Sequence, residues 1–202
     1  MHKAGAILLI LFLTLPVLLV AQEEDSPFDP EWDFYDDLYS RGDQTFVITL
    51  GTVYPAFFRY DGDKKDHNFT PPVGGIGSLS YNYFFAKEVF AGAEIGGMFI
   101  HTLGGNTLFL IPLGVKGGYQ FTYWKFEFPV SATLGMVWHR YTGLGYFGIY
   151  TKIGGSAFYR ASTTWSFGLN ANWYWFPQWT GETEKNAHGN FLDTTISARY
   201  HF

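Results

Sequence analysis

The sequence predicts an all-β chain that folds as an eight-stranded antiparallel transmembrane β-barrel with periplasmic termini. From Thr45 onward apolar and polar residues alternate with a period of two, as strands with one face in lipid and one in a lumen require. The alternation falls into eight segments, whose connections are short and long in turn. Aromatic residues make up 21% of the chain and charged residues only 15%, whereas soluble domains carry about 25% charged residues.

Residues 1–21 have the layout of an export signal. Lys3 is followed by an apolar run from Ala4 to Val20, and the small residue Ala21 precedes the polar Gln22. The alternative is a retained transmembrane anchor, but the run is short for a span and Pro16 interrupts it. No second long apolar run follows, so any other membrane crossing must be made by a closed barrel.

Residues 22–43 form an acidic segment, which we expect in the periplasm. It contains nine acidic residues and one basic residue, Arg41. It is either a solvated linker or a short amphipathic turn, since Trp32, Tyr35 and Tyr39 are at helical spacing. No basic stripe indicates a nucleic-acid partner. The chain has no cysteine, which excludes disulfides and thiolate metal sites, and we expect no cofactor.

Residues 44–202 form the predicted barrel. The first strand begins near Thr45 and directs alternate residues from Phe46 to Tyr54 outward. The other predicted strands are Gly75 to Phe85, Val89 to Ile100, Thr107 to Phe121, Lys125 to His139, Tyr146 to Tyr159, Thr164 to Phe176 and Phe191 to Phe202. A soluble sandwich would show the same alternation, but the polar face carries only isolated ions, which favours lipid around the apolar face.

The connections predict the topology. Residues 59–72 and 177–189 are long and polar, whereas the turns after the second, fourth and sixth strands are short. Outer-membrane barrels have short periplasmic turns and longer external loops. We therefore expect residues 59–72 and 177–189 to be extracellular.

The C-terminus, Arg199-Tyr200-His201-Phe202, resembles the terminal signal of bacterial outer-membrane barrels, in which a final Phe follows a Tyr two places earlier. The length and strand number resemble the small OmpW/OmpX/OmpA-transmembrane class, and SRGDQTFVITLG (Ser40 to Gly51) resembles OmpW-like barrels of spirochaetes. This resemblance implies an outer-membrane location in contact with lipid. It also implies recognition of Tyr200 and Phe202 by the assembly machinery, and a narrow lumen that passes small hydrophobic molecules.

Six ionisable residues alternate with the outward-facing apolar residues of their strands and are therefore expected to face the lumen. They are Glu94, Lys116, Glu127, Lys152, Asp193 and Arg199. A buried ion costs several kcal/mol unless it is paired, so we expect a lumenal charge network. A hairpin centred near Gly105 would set Glu94 opposite Lys116, with Glu127 as the other candidate partner of Lys116. The network is either a structural filling or a gate, and it departs from the hydrophobic lumen of an OmpW-type channel.

Three functions remain open at this point. The first is passage of small molecules across the outer membrane, which the OmpW-like resemblance implies are hydrophobic. The second is a closed structural or surface-interaction barrel. The third is a lipid-modifying enzyme, for which His139 is the best-placed candidate residue. No catalytic partner of His139 is fixed by the sequence, so we expect no enzyme. No two histidines are close together in a strand, so we expect no metal site.

Overall fold

Eight strands close into a barrel in the computed structural model, which describes residues 39–60, 73–101, 107–141, 144–179 and 186–202. The strands are β1 (Gln44–Tyr60), β2 (Gly74–Phe84), β3 (Val89–His101), β4 (Thr107–Tyr123), β5 (Phe126–Tyr141), β6 (Leu144–Arg160), β7 (Trp165–Gln178) and β8 (Ala187–His201). Each strand pairs antiparallel with the next, and β1 pairs with β8. The predicted all-β fold, a closed barrel of eight antiparallel strands, is confirmed. None of the described residues forms a helix long and apolar enough to cross a membrane.

The alternation of side chains separates an apolar outer surface from the lumen. Val53 in β1 is fully buried, whereas Leu50 on the opposite face is 61% exposed. The same contrast recurs around the barrel, with Val115 exposed at 70% and Leu134 at 62%. Soluble monomers rarely expose so large a continuous apolar patch, whereas lipid solvates it.

The two ends of the barrel differ. The end that holds Gln44 and Phe202, here called the terminal end, also holds the turns of residues 85–88, 124–125 and 161–164. The turn between β4 and β5 has two residues, and Trp124 adopts a positive φ of 54°. Such short turns suit the twist of antiparallel strands. The opposite end, here called the loop end, holds the remaining connections.

The strands at the loop end are longer than the sequence predicts. β1 pairs with β8 as far as Tyr60↔Ala187, and β7 pairs with β8 as far as Gln178↔Ala187. The predicted loops of residues 59–72 and 177–189 therefore include residues that belong to strands. Backbone hydrogen bonds continue the ladder whether side chains are polar or apolar, so a change in composition did not mark the strand ends. Residues 61–72 and 180–185 lie outside the described residues.

Candidate functional site in the barrel lumen

The lumen is filled in layers, and the layer near the loop end is apolar. We call the following buried residues the apolar layer: Val53, Ile76, Met98, Ile100, Leu110, Val137, Tyr150, Tyr174, Phe176 and Phe191. Phe176 packs against Tyr150, Tyr174 and Phe191 with ring centroids 5.4–5.8 Å apart. The layer spans the interior, as expected for eight strands, whose barrel is wide enough only for its own side chains.

A charged group lies below the apolar layer. Lys152 Nζ donates to Glu94 Oε1 at 2.5 Å, and Lys116 Nζ is 3.9 Å from Glu94 Oε2. Lys152 also lies over the Tyr174 ring at 5.4 Å. Glu94 is 4% exposed, so its carboxylate is buried and depends on these cations for compensation.

Asp193 is held by neutral donors instead of a cation. Asn172 donates to Asp193 Oδ1 from its backbone N at 3.1 Å and from Nδ2 at 2.7 Å. The Tyr174 hydroxyl donates to Asp193 Oδ2 at 2.9 Å. Both carboxylate oxygens therefore have a hydrogen-bond partner, which links β8 to β7.

A second charged group closes the terminal end. Glu127 lies between two guanidinium groups, with Arg160 Nε 2.8 Å from Oε1 and Arg199 Nη1 2.8 Å from Oε2. Arg199 Nη1 also donates to Gln120 Oε1 at 2.9 Å. The Arg199 contact is a charge-assisted hydrogen bond and the Arg160 contact is a close ion pair, so one carboxylate ties β5 to β6 and β8.

Tyr39 completes this group from outside the sheet. The Tyr39 hydroxyl donates to Glu127 Oε2 at 2.9 Å, and the ring packs 4.3 Å from that of Phe84. The side chain is 4% exposed. Burial raises the pKa of Tyr39 to about 12, although the charge of Arg199 partly opposes the shift.

A turn over Ser40–Asp43 directs Tyr39 into the barrel. The Asp43 carboxylate accepts from Ser40 N at 2.8 Å, and Gly42 N donates to Phe84 O at 2.9 Å. Gly42 has a φ of 111°, in the left-handed region that glycine adopts without steric cost. The chain therefore enters β1 with Tyr39 turned toward the lumen.

All six predicted lumen ions lie on the inner face, but their pairing differs from the expectation. Glu94 is opposite Gly114, and Lys116 is opposite Gly92, so the hairpin does not set the two ions face to face. The nearest cation to Glu94 is Lys152 of β6, which reaches across the lumen. Glu127 pairs with arginines and not with Lys116. The interior of so narrow a barrel can be crossed by a long side chain. The pairing of the ions therefore depends on side-chain length as well as on which strands are neighbours.

Three members of the charged groups were not predicted from the sequence. Arg160 was predicted to lie in a turn. It is an even number of residues from the inward-facing Lys152, so extending the predicted β6 by one residue would have placed Arg160 in the lumen. Gln120 has the parity of Lys116 in β4. Tyr39 precedes β1, so strand periodicity carries no signal for it.

His139 lies near the loop end and is partly buried. Its ring packs against that of Tyr146 at 4.9 Å. Within the described ranges, no hydrogen bond joins His139 to a carboxylate or a hydroxyl nucleophile. The described part of the chain likewise contains no group of three His, Asp or Glu residues that would hold a metal ion.

Comparisons with known proteins support the fold and the family. A protein-family model matches residues 23–200. An uncharacterized protein of Treponema pallidum (strain Nichols) is 24% identical over 129 residues, which cover 64% of this chain and 59% of that protein. The chain thus matches less than two thirds of the length of this relative.

Among solved structures, Neisserial surface protein A superposes with a TM-score of 0.60 at 10% identity, over 80% of this chain and 97% of that one. OprG of Pseudomonas aeruginosa superposes with a TM-score of 0.49 at 11% identity, over 81% of this chain and 97% of that one. The chain therefore belongs to the family whose model matches residues 23–200, and it folds as a closed eight-stranded barrel similar to those of small outer-membrane proteins.

Proposed function

We propose that this protein is a closed outer-membrane barrel that serves as a structural or surface-interaction protein and passes no solute through its lumen. The observation that carries the proposal is the filling of the lumen at both ends. At the loop end the apolar layer is at most 8% exposed. At the terminal end Tyr39, Phe84 and Phe90 form a second buried cluster, at most 4% exposed.

The seal at each end is supported by contacts that are costly to break. Opening the apolar layer would expose several aromatic and aliphatic side chains, each worth about 1.5–3 kcal/mol of burial. Opening the terminal end would separate Glu127 from Arg160 and Arg199, and breaking a buried pair costs about 3–5 kcal/mol. A pathway through the centre would require both events.

Passage of small hydrophobic molecules is the second candidate. The apolar side chains that line the loop-end half favour it, because such a molecule would be solvated there. It requires the apolar layer to part transiently. The charged groups below that layer oppose transfer of an apolar molecule to the terminal end.

Tracer flux in vesicles tests the proposal. The full-length protein is reconstituted into vesicles whose outer leaflet carries lipopolysaccharide, and the entry of a small sugar and of an apolar dye is followed. We expect both rates to equal those of protein-free vesicles. A variant with Tyr39→Ala and Phe176→Ala, opened at both ends, serves as the leaking control. Dye entry above the baseline with the wild type would favour hydrophobic passage, and sugar entry would indicate an open pore.

We further propose that residues 1–21 are an export signal and that the terminal end is periplasmic. The short turns at this end and the even strand number support the orientation. Tags near Lys64 and Glu184 should be labelled on intact cells, whereas a tag near Arg41 should be labelled only after the outer membrane is opened. Labelling of the Arg41 tag on intact cells would reverse the orientation.

The proposed partner of the C-terminus is the outer-membrane assembly machinery. Phe202 is 66% exposed, its backbone N donates to Gln44 O at 3.0 Å, and its ring meets Tyr200 edge-on. Deletion of Phe202 should lower the yield of folded barrel in cells but not refolding of the purified chain in detergent. An equal loss in both settings would assign Phe202 a role in barrel closure alone.

A further inference from the structure

A small polar cavity lies between the two charged groups. Its volume is about 30 Å³. The ionisable side chains that line it are Glu94, Lys116, Lys152 and Arg199, and neutral residues such as Asn82 and Gln120 complete the wall. The cavity therefore has three cations and one carboxylate on its wall.

The single carboxylate on the wall is already engaged. Glu94 Oε1 binds Lys152 at 2.5 Å, whereas Lys116 stands 3.9 Å from Oε2, beyond hydrogen-bond distance. Arg199 is bound to Glu127, which does not line the cavity. Lys116 is the least compensated cation on the wall, and its side chain is 16% exposed. Among the described residues, Lys116 thus has only a distant ion pair and the Phe90 ring, 5.9 Å from Nζ, to balance its charge, so a negative ligand would be favourable beside it.

Two further donors on the wall have no partner. Gln120 Nε2 and Arg199 Nε lack a hydrogen bond, although the two residues are only 1% and 5% exposed. Because Gln120 Oε1 accepts from Arg199 Nη1, the amide orientation that leaves Nε2 as the open group is fixed by that bond. One acceptor, Asn82 Oδ1, is also unpaired, and a water molecule next to the ligand would satisfy it.

The size of the cavity limits the ligand. A water molecule needs about 10–15 Å³ of such volume, so the cavity holds about two water-sized groups. A monatomic anion beside one water molecule matches this size. We propose that the cavity is a binding site for a monatomic halide ion, which Lys116, Gln120 and Arg199 hold beside one water molecule.

Halide-dependent stability tests the site. The folded full-length protein in detergent is unfolded with urea in sodium bromide or sodium gluconate of equal ionic strength. A ligand that binds only the folded state raises stability with the logarithm of its concentration once sites begin to fill. We expect the unfolding midpoint to rise in bromide over gluconate. The rise should be absent in Lys116→Met and retained in Lys125→Met, a lysine replacement in the turn at the terminal end.

Crystals of wild-type protein that was refolded and crystallised in bromide provide a measurement that does not depend on a variant folding. An anomalous peak within about 3.5 Å of Lys116 Nζ is expected, well inside the barrel and away from solvent. Equal midpoints in bromide and gluconate, or a bromide effect that survives in Lys116→Met, would overturn the proposal. So would crystals that diffract well and show no bromide peak in the cavity.

Discussion

At the scale of single residues, the carboxylates of the lumen differ in the partners that compensate their charge. Glu94 depends mainly on Lys152, Glu127 is shared by two arginines, and Asp193 relies on neutral donors. Removing one partner of a buried pair leaves the other charge without compensation, whereas removing both is much less costly. The contacts at Glu94 can therefore be ranked by mutation.

Lys152→Met should destabilise the barrel by about 3–5 kcal/mol, and the added change Glu94→Gln should restore much of the loss. Urea unfolding in detergent measures both effects. Lys116→Met is the matched control, and it should cost less because Lys116 Nζ is 3.9 Å from the carboxylate. Equal losses for the two lysine variants, or no rescue by Glu94→Gln, would contradict the assigned pair.

Tyr39 predicts a pH dependence. The pKa of Tyr39 is raised from 10.0 to about 12 in the folded protein. The unfolded chain therefore ionises first, and the stabilisation is complete below pH 10 and lost as the pH rises toward 12. The advantage of the wild type over Tyr39→Phe should be about 1.5–3 kcal/mol at pH 8, the value of a hydrogen bond to a charged group.

Between pH 8 and pH 11 this advantage should shrink by about 1.4 kcal/mol. At pH 11 the tyrosine of the unfolded chain is one pH unit above its pKa and mostly ionised, whereas the buried Tyr39 is still mostly protonated, and one pH unit corresponds to about 1.4 kcal/mol. Urea midpoints of the two proteins at both pH values give the difference, in which the titration of shared lysines cancels. A difference that stays constant with pH would mean that Tyr39 is not buried in the lumen.

The inward direction of the charged residues follows from the parity of each strand, but their partners do not. Glu94 and Lys152 belong to β3 and β6, which are not neighbours, and only the closed barrel brings them within 2.5 Å. Tyr39 lies beyond the alternating pattern, and its position depends on the turn that begins at Ser40. Sequence periodicity describes one strand at a time, so contacts across the lumen are outside its reach.

At the scale of strands, the glycines of the inner face make room for large lumenal rings. A Cβ on Gly118 of β4 would collide with the ring of Phe90 and with the backbone oxygen of Val130, whereas a Cβ on the adjacent outward-facing Gly117 would meet nothing closer than Phe90 O at 4.0 Å. The same strand therefore provides a test position and a matched control.

Gly118→Ala should destabilise the barrel by about 1–3 kcal/mol, the usual cost of an overpacked interior, while Gly117→Ala should be nearly neutral. Unfolding midpoints of the two variants in detergent measure the difference. If Gly118→Ala were as stable as Gly117→Ala, the ring of Phe90 would not be fixed against β4, and the seal at the terminal end would be looser than described.

The number of strands and the direction of their side chains were predictable from the sequence, but the residues at which the strands end were not. Alternation identified all eight strands because each must present one face to lipid. The extension of β1, β7 and β8 at the loop end rests on backbone pairing as far as Ala187, in a stretch that reads as polar loop. Backbone groups form these hydrogen bonds whatever the polarity of the side chains, so the composition of residues 187–190 did not indicate that they belong to a strand.

At the scale of the whole molecule, the barrel is an apolar cylinder with a filled interior. Its outer face is solvated by lipid, the apolar layer fills the loop-end half, and the charged groups with Tyr39 fill the terminal half. In the function proposed above, this filling both stabilises the fold and blocks the path between the two ends. Closure is therefore the property on which the proposed function depends.

Conductance in planar bilayers measures closure most directly. The full-length wild-type protein should produce no stable current steps above those of the bare membrane, and the Tyr39→Ala, Phe176→Ala variant should produce small ones. Stable, reproducible steps from the wild type, abolished by heat unfolding of the same sample, would contradict a closed lumen.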